Sequence, residues 1–156
     1  MAPDNFLPIF SPALERHGVC KEFTFPGDSE SMVASRQAIM DFIKPHSFSE
    51  LDEIDILVAL QEALANAVFH GCKDDPSKAI YCAVEIDPAG VTIIIRDPGP
   101  GFDVEAVTQP TEAGANTSEH GRGICLMRSL MDEVTYQRGG AEVQLRKLRA
   151  ASPSVA

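Results

Sequence analysis

The chain has no apolar run approaching the ~20 residues that a membrane-spanning helix needs, because charged residues interrupt every long apolar stretch. It is short of positive charge, with 13 Lys and Arg against 23 Asp and Glu and a formal net charge of −10. That balance speaks against direct nucleic-acid binding, since polyanion affinity rests on cations that neutralise phosphates. It leaves a nucleotide open, because backbone amides and a divalent metal can hold one. The cysteines Cys20, Cys72, Cys82 and Cys125 lie far apart, with no CxxC pair and no histidine at zinc-ligand spacing. Free buried thiols are therefore expected rather than a zinc site or a disulfide framework. No GxxxxGK(S/T) occurs, so a P-loop is not the phosphate device. Regular βαβαβ alternation is missing too, which counts against a Rossmann domain. The N-terminus, MAPDNFLPIF, has an acid and prolines where a signal peptide carries lysine and a long apolar run, so a cytoplasmic location is expected.

What is present suffices for one domain: 156 residues, 44% of them apolar, can bury an ordinary core. Residues 1–18 are proline-rich and expected to be partly ordered. Val19 to Phe25 reads as a strand, with Val19, Phe23 and Phe25 apolar and Lys21 and Glu22 exposed. Asp28 or Ser29 then caps a helix running to about Lys44, whose stripe is Met32, Val33, Ile39, Met40 and Ile43 and whose end is marked by Pro45. Ser49 caps a second helix, buried through Ile54, Leu57, Val58, Leu60, Leu64, Ala67 and Val68 and stopping at Gly71. After a polar loop from Cys72 to Lys78, the strands Ile80 to Ile86 and Val91 to Ile95 join through the turn Asp87-Pro88-Ala89-Gly90. The second of them is apolar on both faces, as a central strand is.

Residues 104–120 hold few large apolar groups and read as a mobile lid. A helix from Gly123 to about Met131 and a hairpin of Val134 to Arg138 and Ala141 to Leu148 follow. The tail 149–156 is expected to fray. The organisation is thus a single domain over 19–148, an α+β two-layer sandwich in which helices cover one face of a mixed, mostly antiparallel sheet.

Three segments carry the chemistry. In EALANAVFHG, Glu62 and Asn66 are one helical turn apart on one face. The Asn66 carboxamide suits a Mg²⁺ ion that brings water and phosphate oxygens of its own, and the Glu62 carboxylate can take a proton from a hydroxyl. His70, a further turn along, reads as a C-terminal helix residue favoured by the macrodipole. In RDPGPGFD, Asp97 opens a Gly/Pro turn after an apolar strand and can accept a hydrogen bond from an exocyclic amine, as adenine would offer. Gly99 and Gly101 let a flat ring approach the backbone. In EHGRGICLMRSLMD, Gly121 and Gly123 precede an amphipathic helix whose free amides attract phosphate, with Arg122 as a charged neighbour. Each segment alone is weak; their order and local setting make them specific.

Together these residues resemble the GHKL ATPases, the superfamily of gyrase, Hsp90, histidine kinases and the MutL type. The Glu62 to Asn66 helix looks like the N box, Asp97-Pro98-Gly99-Pro100-Gly101-Phe102 like the first glycine box, and Gly121-Arg122-Gly123-Ile124 like the second. NAVFHG and RGICLMRSLMDEV are most similar to the anti-sigma-factor serine/threonine kinases, over about Val19 to Leu148. The resemblance implies a Bergerat-type, histidine-kinase-like ATP site. In it Asn66 ligates Mg²⁺, Asp97 reads adenine, Gly99 and Gly101 shape the adenine pocket, Gly121, Arg122 and Gly123 meet phosphate, and Glu62 is the base.

It also implies a sigma factor and a STAS-domain anti-sigma-factor antagonist as partners, the antagonist being the phosphorylated substrate. A homodimer is implied as well, and a partner face on the first helix that includes Arg36. The chain departs from the family pattern in lacking Lys or Arg between Phe102 and Arg122, and in carrying Ile124 and Cys125 after the second glycine box. Two other functions stay open on the residues: a nucleotide-dependent binding switch without phosphotransfer, and a detached histidine-kinase catalytic domain.

Overall fold

The computed structural model describes residues 18–109 and 118–150. Expectations for residues 1–17, for 110–117 of the lid and for the tail from residue 151 lie outside the described residues. Five strands form one sheet: β1 (Val19–Gly27), β2 (Asp75–Ile86), β3 (Gly90–Arg96), β4 (Glu133–Gln137) and β5 (Glu142–Leu148), in the order β1-β2-β3-β5-β4. All four pairings are antiparallel. The helices are α1 (Met32–Ile43), α2 (Glu50–Asn66), α3 (Val104–Thr108) and α4 (Glu119–Leu130). This is the expected two-layer α+β arrangement.

Register explains which face is covered. Cys82, Val84 and Ile86 of β2 stand opposite Ile95, Ile93 and Val91 of β3, and Ile93 and Ile95 in turn oppose Leu145 and Val143 of β5. These side chains form one inner face and pack with Ile39 and Ile43 of α1, Ile56, Leu60 and Leu64 of α2, and Ile124 and Met127 of α4. Alternate residues point to the opposite face, which is held by the ion pairs Arg96–Glu142 at 2.6 Å and Arg146–Asp87 at 3.0 Å. The β2–β3 hairpin closes as expected: Asp87 and Gly90 exchange backbone hydrogen bonds, and the Asp87 carboxylate accepts from the Ala89 and Gly90 amides. β3, buried from Gly90 to Ile95, is the middle strand of the five.

α2 is the pillar of the helical layer. Ser49 caps it, accepting the Asp52 amide at 3.1 Å, and Glu50, Asp52 and Glu53 in its first turn complement the helix dipole. Its buried stripe is Ile56, Ala59, Leu60, Ala63 and Leu64, at spacings of 3 and 4. The expected stripe is therefore corrected: Ile54 is 56% and Leu57 37% exposed. α2 is apolar around much of its circumference, so docking against the sheet, not hydrophobicity, selects its inner side. One contact that sets this rotation is Lys147 of β5, whose Nζ donates to Asp55 at 2.9 Å and to the Leu130 carbonyl at 2.6 Å. Val33 of α1 is likewise exposed, whereas Ser35 is buried and returns its hydroxyl to the Ser31 carbonyl.

Three further expectations change. β2 begins at Asp75, inside the expected polar loop, because Gly27 pairs with Asp75 across a bulge at the end of β1. α4 begins at Glu119, four residues before the expected start, because Ser118 accepts the Gly121 amide and caps it. At the start of the expected lid, Asp103 caps α3, and Val107 packs against the core. None of the four cysteines is in a disulfide, and only Cys72 and Cys82 are buried; Cys20 on an outer position of β1 and Cys125 on α4 are exposed. No helix among the described residues is long and apolar enough to cross a membrane.

Truncating a fully buried α2 residue leaves a cavity, whereas truncating an exposed one does not. Leu60→Ala should lower the unfolding free energy by about 2–5 kcal/mol, and Ile54→Ala should change it by less than about 0.5 kcal/mol. Urea denaturation of both variants checks this, and equal losses would contradict the assigned rotation of α2.

Candidate nucleotide site

α2 does not stop at Asn66. It continues through a π-helical turn, Ala67–Gly71, closed by the Cys72 amide on the Ala67 carbonyl at 2.8 Å. Such turns recur at functional sites. Here the result is that Ala63, Asn66, Ala67, His70 and Gly71 all line one cavity of about 170 Å³. Ile95 and Asp97 from β3 and its exit, Gly101 and Phe102 from the Gly/Pro turn, His120 from the first turn of α4, and Tyr136, Ala141 and Val143 from the last hairpin complete it. Exposed Lys73 lines it as well.

Asp97 is held by backbone on two sides. Its amide donates to the Ala141 carbonyl at 3.0 Å, and one carboxylate oxygen accepts the Gly99 amide at 2.8 Å. A carboxylate has further lone pairs, so accepting capacity remains. Burial pushes the Asp97 carboxyl above its ordinary range, and the Gly99 hydrogen bond partly opposes that. Gly71 is required opposite it, since a Cβ there would collide with the carboxylate. Gly99 packs against Gly71 in turn, and Gly101 adopts φ +77°, a left-handed conformation that suits glycine. The Phe102 amide then donates to the Gly139 carbonyl at 2.8 Å, which ties the turn to the β4–β5 connection.

The other expected residues are placed differently. Glu62 does not line this cavity; it borders an adjoining cleft with Glu119, Arg122, Gly123 and Leu126. Gly123 makes room for it, because a Cβ at that position would lie 2.6 Å from Glu62 Oε2. Gly121 and Gly123 are buried within α4 rather than ahead of it. The Gly121 and Arg122 amides are engaged by the Ser118 side chain and carbonyl, each at 2.9 Å. Arg36 bridges α1 to α2 through a hydrogen bond to Gln61 Oε1.

The sequence reading missed an aromatic wall. The His120 ring lies parallel to His70 with centroids 4.1 Å apart, and the Phe102 ring centroid lies 4.1 Å from that of His120 at an interplanar angle of 52°. Phe102 meets Tyr136 edge-on at 5.5 Å. Burial, and then the neighbouring His70, hold the His120 imidazole down at about 4, and burial pushes the Tyr136 hydroxyl up to about 12. Two signals were available: His120 directly precedes the glycine pair, and the period-2 pattern of β4 puts Tyr136 on the same inward face as Val134. Three buried side-chain atoms among the described residues have no hydrogen-bond partner, namely Asn66 Nδ2, His120 Nε2 and Tyr136 Oη. All three residues line this cavity.

Comparison with known proteins agrees with the geometry. Residues 25–147 match the profile of the histidine kinase-like ATPase domain. The anti-sigma F factor of Geobacillus kaustophilus is 31% identical over 138 residues, 84% of this chain and 93% of that protein. The serine-protein kinase RsbW of Oceanobacillus iheyensis is 31% identical over 119 residues, 72% of this chain and 75% of that protein. The anti-sigma F factor of Anoxybacillus flavithermus is 39% identical over 87 residues, and the match spans 60% of its length. Among solved structures, the RsbU and RsbW domains of Rv1364c from Mycobacterium tuberculosis superpose with a TM-score of 0.57 at 19% identity, over 85% of this chain and 33% of that one. This last likeness concerns the fold.

The His120 stack has a consequence for acid stability. The imidazole titrates near 6.5 when unperturbed and at about 4 in the fold. The unfolded chain therefore takes up the proton first, so stability present above the unperturbed value is lost as pH falls toward the folded one. His120→Phe, which keeps a ring in the stack, should flatten that loss. Urea midpoints between about pH 7 and about pH 4.5 check this, and identical profiles for both proteins would rule out the imidazole as their source.

Proposed function

The chain belongs to the histidine kinase-like ATPase domain family, and from that premise we propose that it is an ATP- and Mg²⁺-dependent serine/threonine protein kinase that also acts as an anti-sigma factor. Its relatives support this by name, being anti-sigma F factors and a serine-protein kinase RsbW. The observation that carries the reading is the cavity itself. A half-buried carboxylate held by backbone stands on one side of an apolar slot, and polar atoms without partners line the same space. Such atoms are rare in native proteins unless a ligand or water satisfies them.

The residues fit an adenine nucleotide. Ala63, Ile95 and Val143 offer apolar surface to a flat base. Asp97 accepts a hydrogen bond from the exocyclic amine of adenine, where guanine presents a carbonyl acceptor that a carboxylate cannot meet. Gly99 and Gly101 bring no side chain of their own to the turn beside Asp97, and Pro100 between them lines the cavity. Asn66 ligates Mg²⁺ through its carboxamide oxygen. No group of three or more His, Cys, Asp or Glu that could hold a metal occurs among the described residues, which suits an ion completed by phosphate and water oxygens. Bound Mg-ATP supplies the phosphoryl group and the charge that neutralises it in transfer.

Gly121, Arg122 and Gly123 meet phosphate once the first turn of α4 releases the amides that Ser118 now engages. Glu62 takes the proton from the substrate hydroxyl, which enters through the adjoining cleft. That hydroxyl belongs to a serine or threonine of a STAS-domain antagonist. The sigma factor and the antagonist meet the face around Arg36, where Val33, Ile54 and Leu57 are exposed. The protein works in the cytoplasm and as a homodimer. A second reading, nucleotide-dependent partner switching without phosphotransfer, draws on one observation: Glu62 borders the neighbouring cleft and not the cavity.

Two substitutions separate these roles. Glu62→Gln should leave Mg-ATP affinity within about twofold of the parent and cut transfer by at least about a hundredfold. Asp97→Asn should weaken ATP binding by about tenfold or more, because an amide in place of the acceptor disrupts recognition of the amine. Calorimetry reads the first quantity, and acid-stable radiolabel on STAS proteins reads the second. Undiminished transfer by Glu62→Gln removes it as the base, and unchanged affinity of Asp97→Asn removes it as the adenine reader.

A further inference from the structure

The unpartnered atoms at the cavity come from three separate elements: Asn66 from α2, His120 from α4 and Tyr136 from β4. The family motifs account for Asn66 alone. A phenylalanine at 136 would keep the edge-on contact with Phe102 and the place opposite Val143 on β5, and would bury no hydroxyl. The hydroxyl lies beside the Asn66 carboxamide without meeting hydrogen-bond geometry. His120 is constrained in a similar way. Rings of His70 and Phe102 pack around it, so its edge is what remains for hydrogen bonding, and Nε2 on that edge is buried and unsatisfied. Neither atom has a geometrically satisfactory hydrogen-bond partner among the described residues, and each carries a desolvation cost that an added ligand atom can offset.

We propose that Tyr136 Oη and His120 Nε2 are nucleotide-contacting groups that, with Asn66, bind the oxygen-rich sugar–phosphate part of the ligand. The assignment to that part follows from position. Tyr136 adjoins Asn66, and His120 stacks on His70, one turn beyond Asn66 on the same helix, whereas Asp97 and the Gly/Pro turn serve the base. Burial keeps the His120 imidazole neutral at pH 7, so it presents one nitrogen as a donor or an acceptor according to tautomer. A phenol and a neutral imidazole together match pentose hydroxyls, which donate and accept, or phosphate oxygens, which accept. This inference rests on the nucleotide reading above and extends it to Tyr136, outside the three segments, and to His120, which stands in the third beside its glycine pair.

The test uses shape-preserving variants, Tyr136→Phe and His120→Phe, in the full chain. Thermal unfolding is measured without nucleotide, and affinity for Mg-ADP and for adenosine is measured by calorimetry. Each variant should be as stable as the parent or more so, since a buried unsatisfied atom has been removed. Each should also bind Mg-ADP roughly five- to tenfold more weakly, the worth of one hydrogen bond. A loss shared by adenosine assigns the contact to the sugar, and a loss confined to Mg-ADP assigns it to phosphate; both support the proposal. Unchanged affinity in both variants overturns it, as does lower affinity that comes with lower stability, which would make the groups structural. Should the parent bind neither Mg-ADP nor adenosine, the nucleotide reading itself fails, an outcome visible before any variant is compared.

Discussion

The cavity exists because the end of α2 meets the end of β3 with no side chain between them. Gly71 closes the π-helical turn of α2 directly against the Asp97 carboxylate, where a Cβ would overlap it. Gly99 then folds back on Gly71, and its amide fixes one oxygen of Asp97. This contact sets the depth of the slot and aims the carboxylate, and the neighbouring features follow from it. The Gly/Pro turn leaves β3 in the one direction that brings Phe102 to the β4–β5 connection, and the extra residue of the π turn brings His70 beneath His120. Packing here serves geometry more than cohesion, since the large apolar contacts of the core lie deeper, between α2, α4 and the inner face of the sheet.

Charge around the site is sparse for a phosphate ligand. Lys73 lines the cavity and Arg122 borders the adjoining cleft, in a chain of net charge −10. On the proposed reading, binding an anion there would depend on a divalent metal held by Asn66, on α4 amides released by Ser118, and on the neutral groups of Tyr136 and His120. The glycine pair has a double use in this arrangement. Gly123 admits the Glu62 carboxylate against α4, and the Gly121 amide donates to the Ser118 cap.

Much of this was legible in local sequence. Caps are short-range events, so Ser49 announced α2, and the Asp87-Pro88-Ala89-Gly90 turn announced the hairpin. Five successive buried residues in Val91 to Ile95 announced a middle strand. Asp97, Asn66 and Gly101 were read as site residues and do line one cavity. What failed to show depends on distant partners. The rotation of α2 is set by docking and by Lys147, 92 positions after Asp55, so Ile54 and Leu57 were placed inside when Ala59 and Ala63 belong there. Glu62 and Asn66 are one turn apart on one helix, yet they line two different spaces. His120 and Tyr136 were assigned no role from sequence; only the folded chain brings their unsatisfied atoms to the cavity that Asn66 also lines.

The central claim is that this cavity selects adenine nucleotides through Asp97, and base discrimination tests it most directly. Calorimetric titration of the unmodified protein with Mg-ATP and with Mg-GTP, under identical conditions, should give saturable binding for ATP and none detectable for GTP, because guanine turns a carbonyl acceptor toward the carboxylate. Equal affinity for the two, or no binding of either, would contradict the account.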